Sequence, residues 1–244
     1  MADGGQQAEG IGANDSDPRR QLRLQADVRP SLGVLVAAAT IAVVCLGLFV
    51  LIAEDLLDGG GFISHDQAVL IWFVENRTDV LITLARLLSA LGSFVGLTIV
   101  SVMIAIFVKA RGWGWRLAAS PFMALLIASL TSTVAKALFG RERPPVVVHA
   151  TTVTLAAFPS GHATDAAACF LAAAFLLALT VAHYRYVQVL LLVAGLLLAA
   201  LVGLSRLVLG VHWLSDVIAG WALGAAIATV VVVTVWYLDT RPLR

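Results

Sequence analysis

Charge is scarce in this chain. Only 13% of its 244 residues are Asp, Glu, Lys or Arg, about half the share found in soluble domains. Mean hydropathy is +0.95, which excludes a water-soluble globular protein. The formal net charge of +1 says little by itself, because in so apolar a chain the distribution of charge outweighs its sum; no nucleic-acid partner is expected. Cysteine is nearly absent too. Cys45 and Cys169 both lie inside apolar runs, where they read as small buried hydrophobes, and no structural disulfide is expected. No Walker-type loop, carboxylate-rich metal cage or convincing internal repeat is visible, so neither a metal nor an organic cofactor is expected.

Long apolar runs dominate instead. A helix crossing the hydrocarbon core of a bilayer needs about 20 largely apolar residues. Stretches free of Asp, Glu, Lys, Arg and His run from Pro30 to Ala53, Leu87 to Val108, Leu117 to Ala135, Val187 to Ser205 and Val217 to Leu238. A sixth, Ala166 to Thr180, has His162 and Asp165 before it and His183 after it. The expected fold class is an all-α polytopic membrane protein with six transmembrane helices, in a domain covering residues 29–240. Between Gly61 and Arg86 the mixed apolar and polar pattern predicts one or two short interfacial helices. Residues 1–28 are rich in Gly, Asp, Gln and Arg and read as a disordered cytoplasmic tail. The first apolar run is followed by Glu54 and Asp55 rather than by small residues, so it reads as an uncleaved anchor.

Basic residues give the orientation, since short cytoplasmic loops are enriched in Lys and Arg. Arg19, Arg20, Arg23 and Arg29 precede the first run; Lys109, Arg111 and Arg116 follow the second; Arg185 follows the fourth; Arg241 and Arg244 follow the sixth. With six spans these regions share one side, so both termini are expected to be cytoplasmic. The loop after the first run is mainly acidic, with Glu54, Asp55, Asp58, Asp66, Glu75 and Asp79, as an external loop would be.

Three polar clusters interrupt this pattern: KALFGRERP from Lys136 to Pro144, PSGH from Pro159 to His162, and SRLVLGVHWLSD from Ser205 to Asp216. Under the six-span topology all three fall at the external face. An ionisable group at the bilayer centre costs about 2.5 to 3.5 kcal/mol on insertion scales, so their convergence calls for a function. His212 and Asp216 are four apart, so the carboxylate can hold one imidazole nitrogen and leave the other free. Gly210 lets the chain turn between Arg206 and His212. Ser160 is a good N-cap after Pro159, and the amides of Gly161 and His162 then sit at a helix N-terminus, which favours an anion. Lys136, Arg143 and Arg206 add three cations. Together they describe a phosphate site with an acid and a base. Arg141 and Glu142 read as an ordinary loop pair. Asp165 reads equally as a residue orienting His162 and as a solvated first-turn charge, and His65, His149 and His183 as loop histidines.

These motifs resemble those of the type 2 phosphatidic acid phosphatase (PAP2) family, whose signature is KxxxxxxRP, PSGH and SRxxxxxHxxxD. The resemblance covers the membrane core, roughly residues 30–240. It implies an integral membrane phosphatase of the cell membrane in which His212 attacks phosphorus to form a phosphohistidine and Asp216 fixes its tautomer. It further implies that His162 protonates the departing oxygen and then activates water, while Lys136, Arg143, Arg206, Ser160 and the Gly161 amide hold phosphate oxygens. The implied reaction is metal-independent and extracytoplasmic. The implied partners are the bilayer and a lipid phosphate or diphosphate: polyprenyl diphosphate such as undecaprenyl diphosphate, phosphatidylglycerol phosphate or phosphatidic acid. A lipid phosphotransferase would share the phosphoenzyme chemistry, and a non-catalytic anionic-lipid transporter would use only the binding cluster. Small residues from Gly195 to Gly203 could pack within one bundle or between two, leaving the oligomeric state open.

Overall fold

Ser31 opens the first helix by accepting the Val34 amide on its Oγ at 3.3 Å. The computed structural model describes residues 30–153, 155–180 and 184–239; the expectations for residues 1–28, His183, Arg241 and Arg244 lie outside them. Helix α1, Leu32–Asp58, runs 27 residues to Gly59, whose φ of 71° gives the left-handed stop. Glu54, Asp55 and Asp58 thus belong to its last turns rather than to a loop. A short 3-10 turn, Gly61–His65, leads into α2, Asp66–Asn76, and α3, Asp79–Leu91, the latter capped by the Thr78 hydroxyl. These are the short helices expected after the first span.

The second span differs from the expected continuous helix over Leu87 to Val108. The chain breaks at Gly92 and Ser93, and α3 meets α4, Phe94–Ala110, at 58°. Ser93 accepts the Gly96 amide at 3.1 Å and so starts a new helix. Gly92 has no Cβ because Val202 Cγ1 would lie 2.2 Å from it. A short turn of helix, α5 (Trp115–Ala118), then precedes α6, Ser120–Phe139. After a 3-10 turn at Val146–Val148 come α7, Gly161–Thr180, α8, Arg185–Val208, and α9, Leu214–Asp239. Among the described residues, α1, α6, α7, α8 and α9 are each long and apolar enough to cross a membrane, and the bent α3–α4 pair makes a sixth span.

Helix α7 is the centre of the bundle: 78% of its most apolar stretch is buried, against 6% for α1 at the periphery. Its sequence explains that position. Ala163, Ala166, Ala167, Ala168, Ala172, Ala173 and Ala174 leave a thin cylinder that α6, α8 and α9 can approach on three sides. In lipid, where apolar side chains gain little from leaving the solvent, close van der Waals packing of small residues drives association. Gly224 of α9 sits so near α7 that a Cβ would be 2.3 Å from the Thr164 carbonyl oxygen. Gly195 and Gly203 of α8 pack against Phe170 and Ala174 of α7 and against the Trp221 ring of α9. The small-residue stretch of α8 therefore serves packing inside this one bundle. On the outside, Leu32, Val36, Val43, Leu130, Leu190 and Leu196 are exposed, as lipid-facing side chains are.

Candidate active site

The C-terminal ends of α6 and α8 and the N-terminal ends of α7 and α9 meet at one end of the bundle. Gly140, at φ 58°, stops α6 and sends the chain into the 141–160 loop. Gly210, at φ 68°, turns α8 into α9, and a Cβ there would be 2.5 Å from the Val148 carbonyl oxygen. These two turns bring Lys136, Arg143, Gly161, His162, Arg206 and His212 to the wall of one cleft of about 300 Å³. Ser160 and Asp216 are fully buried beside it.

His212 is 1% exposed. Its Nδ1 lies 3.2 Å from Asp216 Oδ2, and its Nε2 lies 3.1 Å from Arg143 Nη1. A guanidinium can only donate, so Nε2 must accept and the imidazole proton resides on Nδ1, facing Asp216. Burial, reinforced by the positive charges of Arg143, Arg206 and Lys136, holds this imidazole well below its ordinary pKa. The ring is therefore neutral, with its lone pair turned to the cleft.

Asp216 is held on both oxygens. Oδ2 accepts the Trp213 amide at 2.9 Å as well as His212, and Oδ1 accepts Arg141 Nη1 at 2.5 Å. Arg141 also reaches Asp66 Oδ2 at 2.7 Å and Ser215 Oγ at 2.7 Å, with its guanidinium 5.6 Å from the centre of the Trp213 ring. Asp66 accepts in addition the Ser215 amide at 2.9 Å and the Ser215 hydroxyl at 2.5 Å. Arg141 is thus no ordinary loop residue, and Asp66, only 3% exposed, is no external-loop acid. Glu142 offers its carbonyl to the Trp213 indole at 3.0 Å.

The cations divide by what they touch. Lys136 Nζ donates to the carbonyls of Ala156, Ala157 and Pro159 at 2.8, 3.3 and 2.6 Å, so it clamps the turn leading into α7 while its charge faces the cleft. Arg143 is tied through Nε to Leu155 and through Nη1 to Val211, both at 2.6 Å. Arg206 donates from Nη1 to the hydroxyl of Ser89 on α3, a contact created by the helix break. Arg206 Nε and Ser160 Oγ have no hydrogen-bond partner among the described residues, a costly condition for buried polar atoms. Ser160 consequently does not cap α7 through its hydroxyl, contrary to the expectation; its carbonyl accepts from the Thr164 amide and hydroxyl instead. Both orphan atoms lie in residues that adjoin or line the cleft, where phosphate oxygens would satisfy them. Ser205 bonds back to the Val202 carbonyl at 2.6 Å within α8 and does not line the cleft. Asp165 is 7% exposed, so it is not a solvated charge. Of the loop histidines, His149 lies 2.9 Å from the Pro144 carbonyl and His65 is exposed. Among the described residues, no three His, Cys, Asp or Glu side chains gather so as to hold a metal ion.

The family model of the PAP2 superfamily matches residues 117–239, just over half of the 244 residues. The chain belongs to the PAP2 superfamily. This PAP2 chain is 36% identical over 163 residues to the decaprenylphosphoryl-5-phosphoribose phosphatase of Mycobacterium tuberculosis, covering 64% of this chain and 81% of the relative. It is 36% identical over 101 residues to phosphatidylglycerophosphatase B of Bacillus subtilis, covering 39% of this chain and 46% of that protein, so the match spans about half the length of that relative. The undecaprenyl-diphosphatase of Sulfolobus acidocaldarius is 33% identical over 134 residues, 53% of this chain and 58% of its own. The PAP2 bundle is also that of the transmembrane PAP2-type phosphatidylglycerolphosphate phosphatase crystal structure from Bacillus subtilis. The TM-score is 0.72 at 23% identity, over 82% of this chain and 98% of that one.

Proposed function

We propose that this PAP2 protein is a membrane-embedded lipid phosphatase that hydrolyses a lipid phosphate or diphosphate through a phosphohistidine at His212, with its cleft on the extracytoplasmic side. One observation carries this reading: the neutral His212 ring has Nδ1 on Asp216 and its Nε2 lone pair toward a cleft that also holds His162, Arg143 and Arg206. The relatives named for phosphatidylglycerophosphate, decaprenylphosphoryl-5-phosphoribose and undecaprenyl diphosphate support the substrate class.

In this mechanism a phosphate oxygen takes the Arg143 Nη1 donor and uncovers Nε2. The lone pair attacks phosphorus as the bond to the leaving oxygen breaks, and His162, which enters the step as an imidazolium once the phosphate anion lies beside it, gives that oxygen its proton. The positive charge gained by His212 is balanced by Asp216, which stays ionised between Arg141 and Trp213. Arg143, Arg206 Nε, Ser160 Oγ and the Gly161 amide stabilise the equatorial oxygens, while Lys136 supplies charge and fixes the turn that presents Ser160 and Gly161. Water then attacks the phosphohistidine, His162 takes its proton, and inorganic phosphate leaves with His212 again neutral.

The test is phosphate release by purified protein in detergent with EDTA present, across polyprenyl diphosphate, phosphatidylglycerol phosphate, phosphatidic acid and a soluble phosphate ester. Release of inorganic phosphate from at least one lipid is expected. Transfer of the group to an acceptor without phosphate release, or no reaction at all by folded protein, would overturn the hydrolase reading.

A further inference from the structure

The cleft extends past the phosphate cluster. On α6, Ser129, Ser132, Thr133 and Lys136 stand at spacings of three, one and three residues, which puts them on one helical face, and all four line the cleft. Seven residues separate Ser129 from Lys136, so this wall runs about 10 Å along the helix, toward the middle of the bundle. Asp165, one turn into α7, faces the same space.

This deeper wall is made of acceptors. Thr133 Oγ1 donates to the Ser129 carbonyl at 2.7 Å and Ser132 Oγ donates to the same carbonyl at 3.1 Å. Each hydroxyl thereby uses its only proton and keeps lone pairs for the cleft. Ser129 and Asp165 face each other across this part of the cleft. Asp165 Oδ1 has no hydrogen-bond partner among the described residues, although the residue is 93% buried, its exposure being 7%. Lys136 does not fill that role, since its three donated bonds go to the carbonyls of Ala156, Ala157 and Pro159. A donor-rich phosphate site is therefore continuous with an acceptor-rich extension that ends on an unsatisfied carboxylate oxygen.

We infer that Asp165, with Ser132 and Thr133, forms a subsite for a free hydroxyl on the substrate headgroup, and that the preferred substrate is the phosphate monoester of a polyol-bearing lipid. The inference rests on the phosphatase reading above. A headgroup hydroxyl near the phosphorylated carbon can donate to Asp165 Oδ1 while the phosphate occupies the cationic end. A lipid diphosphate would instead bring more acceptor oxygens against a wall whose hydroxyls have already spent their protons, and phosphatidic acid carries no free hydroxyl to donate. Sites that hydrogen-bond a substrate hydroxyl discriminate strongly against analogues without it, because the buried polar group is then left unpaired.

The experiment compares kcat/KM for phosphatidylglycerol phosphate, phosphatidic acid and a polyprenyl diphosphate in wild type, Asp165→Ala, Asp165→Asn and Thr133→Val. Wild type is expected to prefer the hydroxyl-bearing lipid by about tenfold or more. Asp165→Ala should lower the ratio of hydroxyl-bearing to hydroxyl-free turnover by about tenfold, and Asp165→Asn, which keeps an acceptor oxygen at the same place, should lower it less. Thr133→Val, isosteric and at an exposed position, should shift this ratio in the same direction by a few-fold, which keeps the test alive if Asp165→Ala does not fold. A wild-type preference for phosphatidic acid or the diphosphate, or ratios unchanged in every folded variant, would overturn the subsite; so would equal loss on all three lipids. No turnover of any lipid by wild type would overturn the phosphatase reading beneath it.

Discussion

Arg141 Nη1 lies 2.5 Å from Asp216 Oδ1, on the carboxylate oxygen that His212 does not use. The same guanidinium is anchored to Asp66 at 2.7 Å, and Arg141 does not line the cleft. It is a positioning residue: it fixes Asp216, which fixes His212. Arg141→Ala is expected to lower kcat by about 100-fold, the scale on which a misplacement of roughly 1 Å is felt, with a smaller change in KM. Asp66→Asn should act in the same direction with a milder effect. A KM increase with kcat unchanged in both variants would mean that Arg141 instead binds substrate.

Two glycines on facing helices should respond in opposite ways. A Cβ at Gly161 would meet nothing closer than Lys136 Cε at 3.6 Å, so Gly161→Ala is expected to leave thermal stability near wild type while activity falls at least tenfold, because the methyl occupies phosphate space beside the amide. At Gly224 a Cβ would lie 2.3 Å from a backbone oxygen of α7, so Gly224→Ala should destabilise by about 1 to 3 kcal/mol through overpacking. Melting curves and phosphate release on both variants check the pair.

Acid should destabilise the protein partly through His212. Its folded-state pKa is held well below the ordinary 6.5 by burial and by Arg143, Arg206 and Lys136, so the unfolded chain binds a proton that the native ring refuses. This stability is fully present above about pH 6.5 and is drawn down as pH falls toward the native value. The slope of melting temperature against pH between about 7 and 5 should be shallower in His212→Gln. An identical slope would contradict the neutral assignment.

Lys109, Arg111, Arg116 and Arg185 lie at the ends of α4, α5, α6 and α8 remote from the cleft, and the proposed extracytoplasmic cleft follows from reading them by the positive-inside rule. With Cys45 and Cys169 replaced by Ala, a Val147→Cys protein should react with a membrane-impermeant maleimide on intact cells, and a Trp115→Cys protein should react only after lysis. The reverse pattern would invert the orientation.

Much of the site was legible because its residues are set by short-range spacing. His212 and Asp216 are one helical turn apart, PSGH opens a helix, and Arg206 ends one; each of these survives folding unchanged. Arg141 and Asp66 were not legible, since they are 75 residues apart and an acidic residue in a mixed loop gives no sign that it will be buried. The role of Lys136 depends on three backbone carbonyls of a loop whose path is set only by tertiary packing. Asp165 reads from sequence equally as a residue orienting His162 and as a solvated first-turn charge; it is buried because alanines bring α6 and α9 tight against α7. The break at Gly92 and Ser93 had a local signal, a glycine followed by a capping serine, which the high hydropathy on both sides obscured.

The central claim is the phosphohistidine. The most direct measurement is to quench purified protein in alkali within milliseconds of adding a turned-over lipid carrying labelled phosphorus, and to map the label by mass spectrometry. The account predicts stoichiometric, acid-labile, alkali-stable label on His212 in wild type, none in His212→Ala, and longer-lived label when His162 is replaced. Turnover with no label on the protein, or label on another residue that survives in His212→Ala, would contradict it.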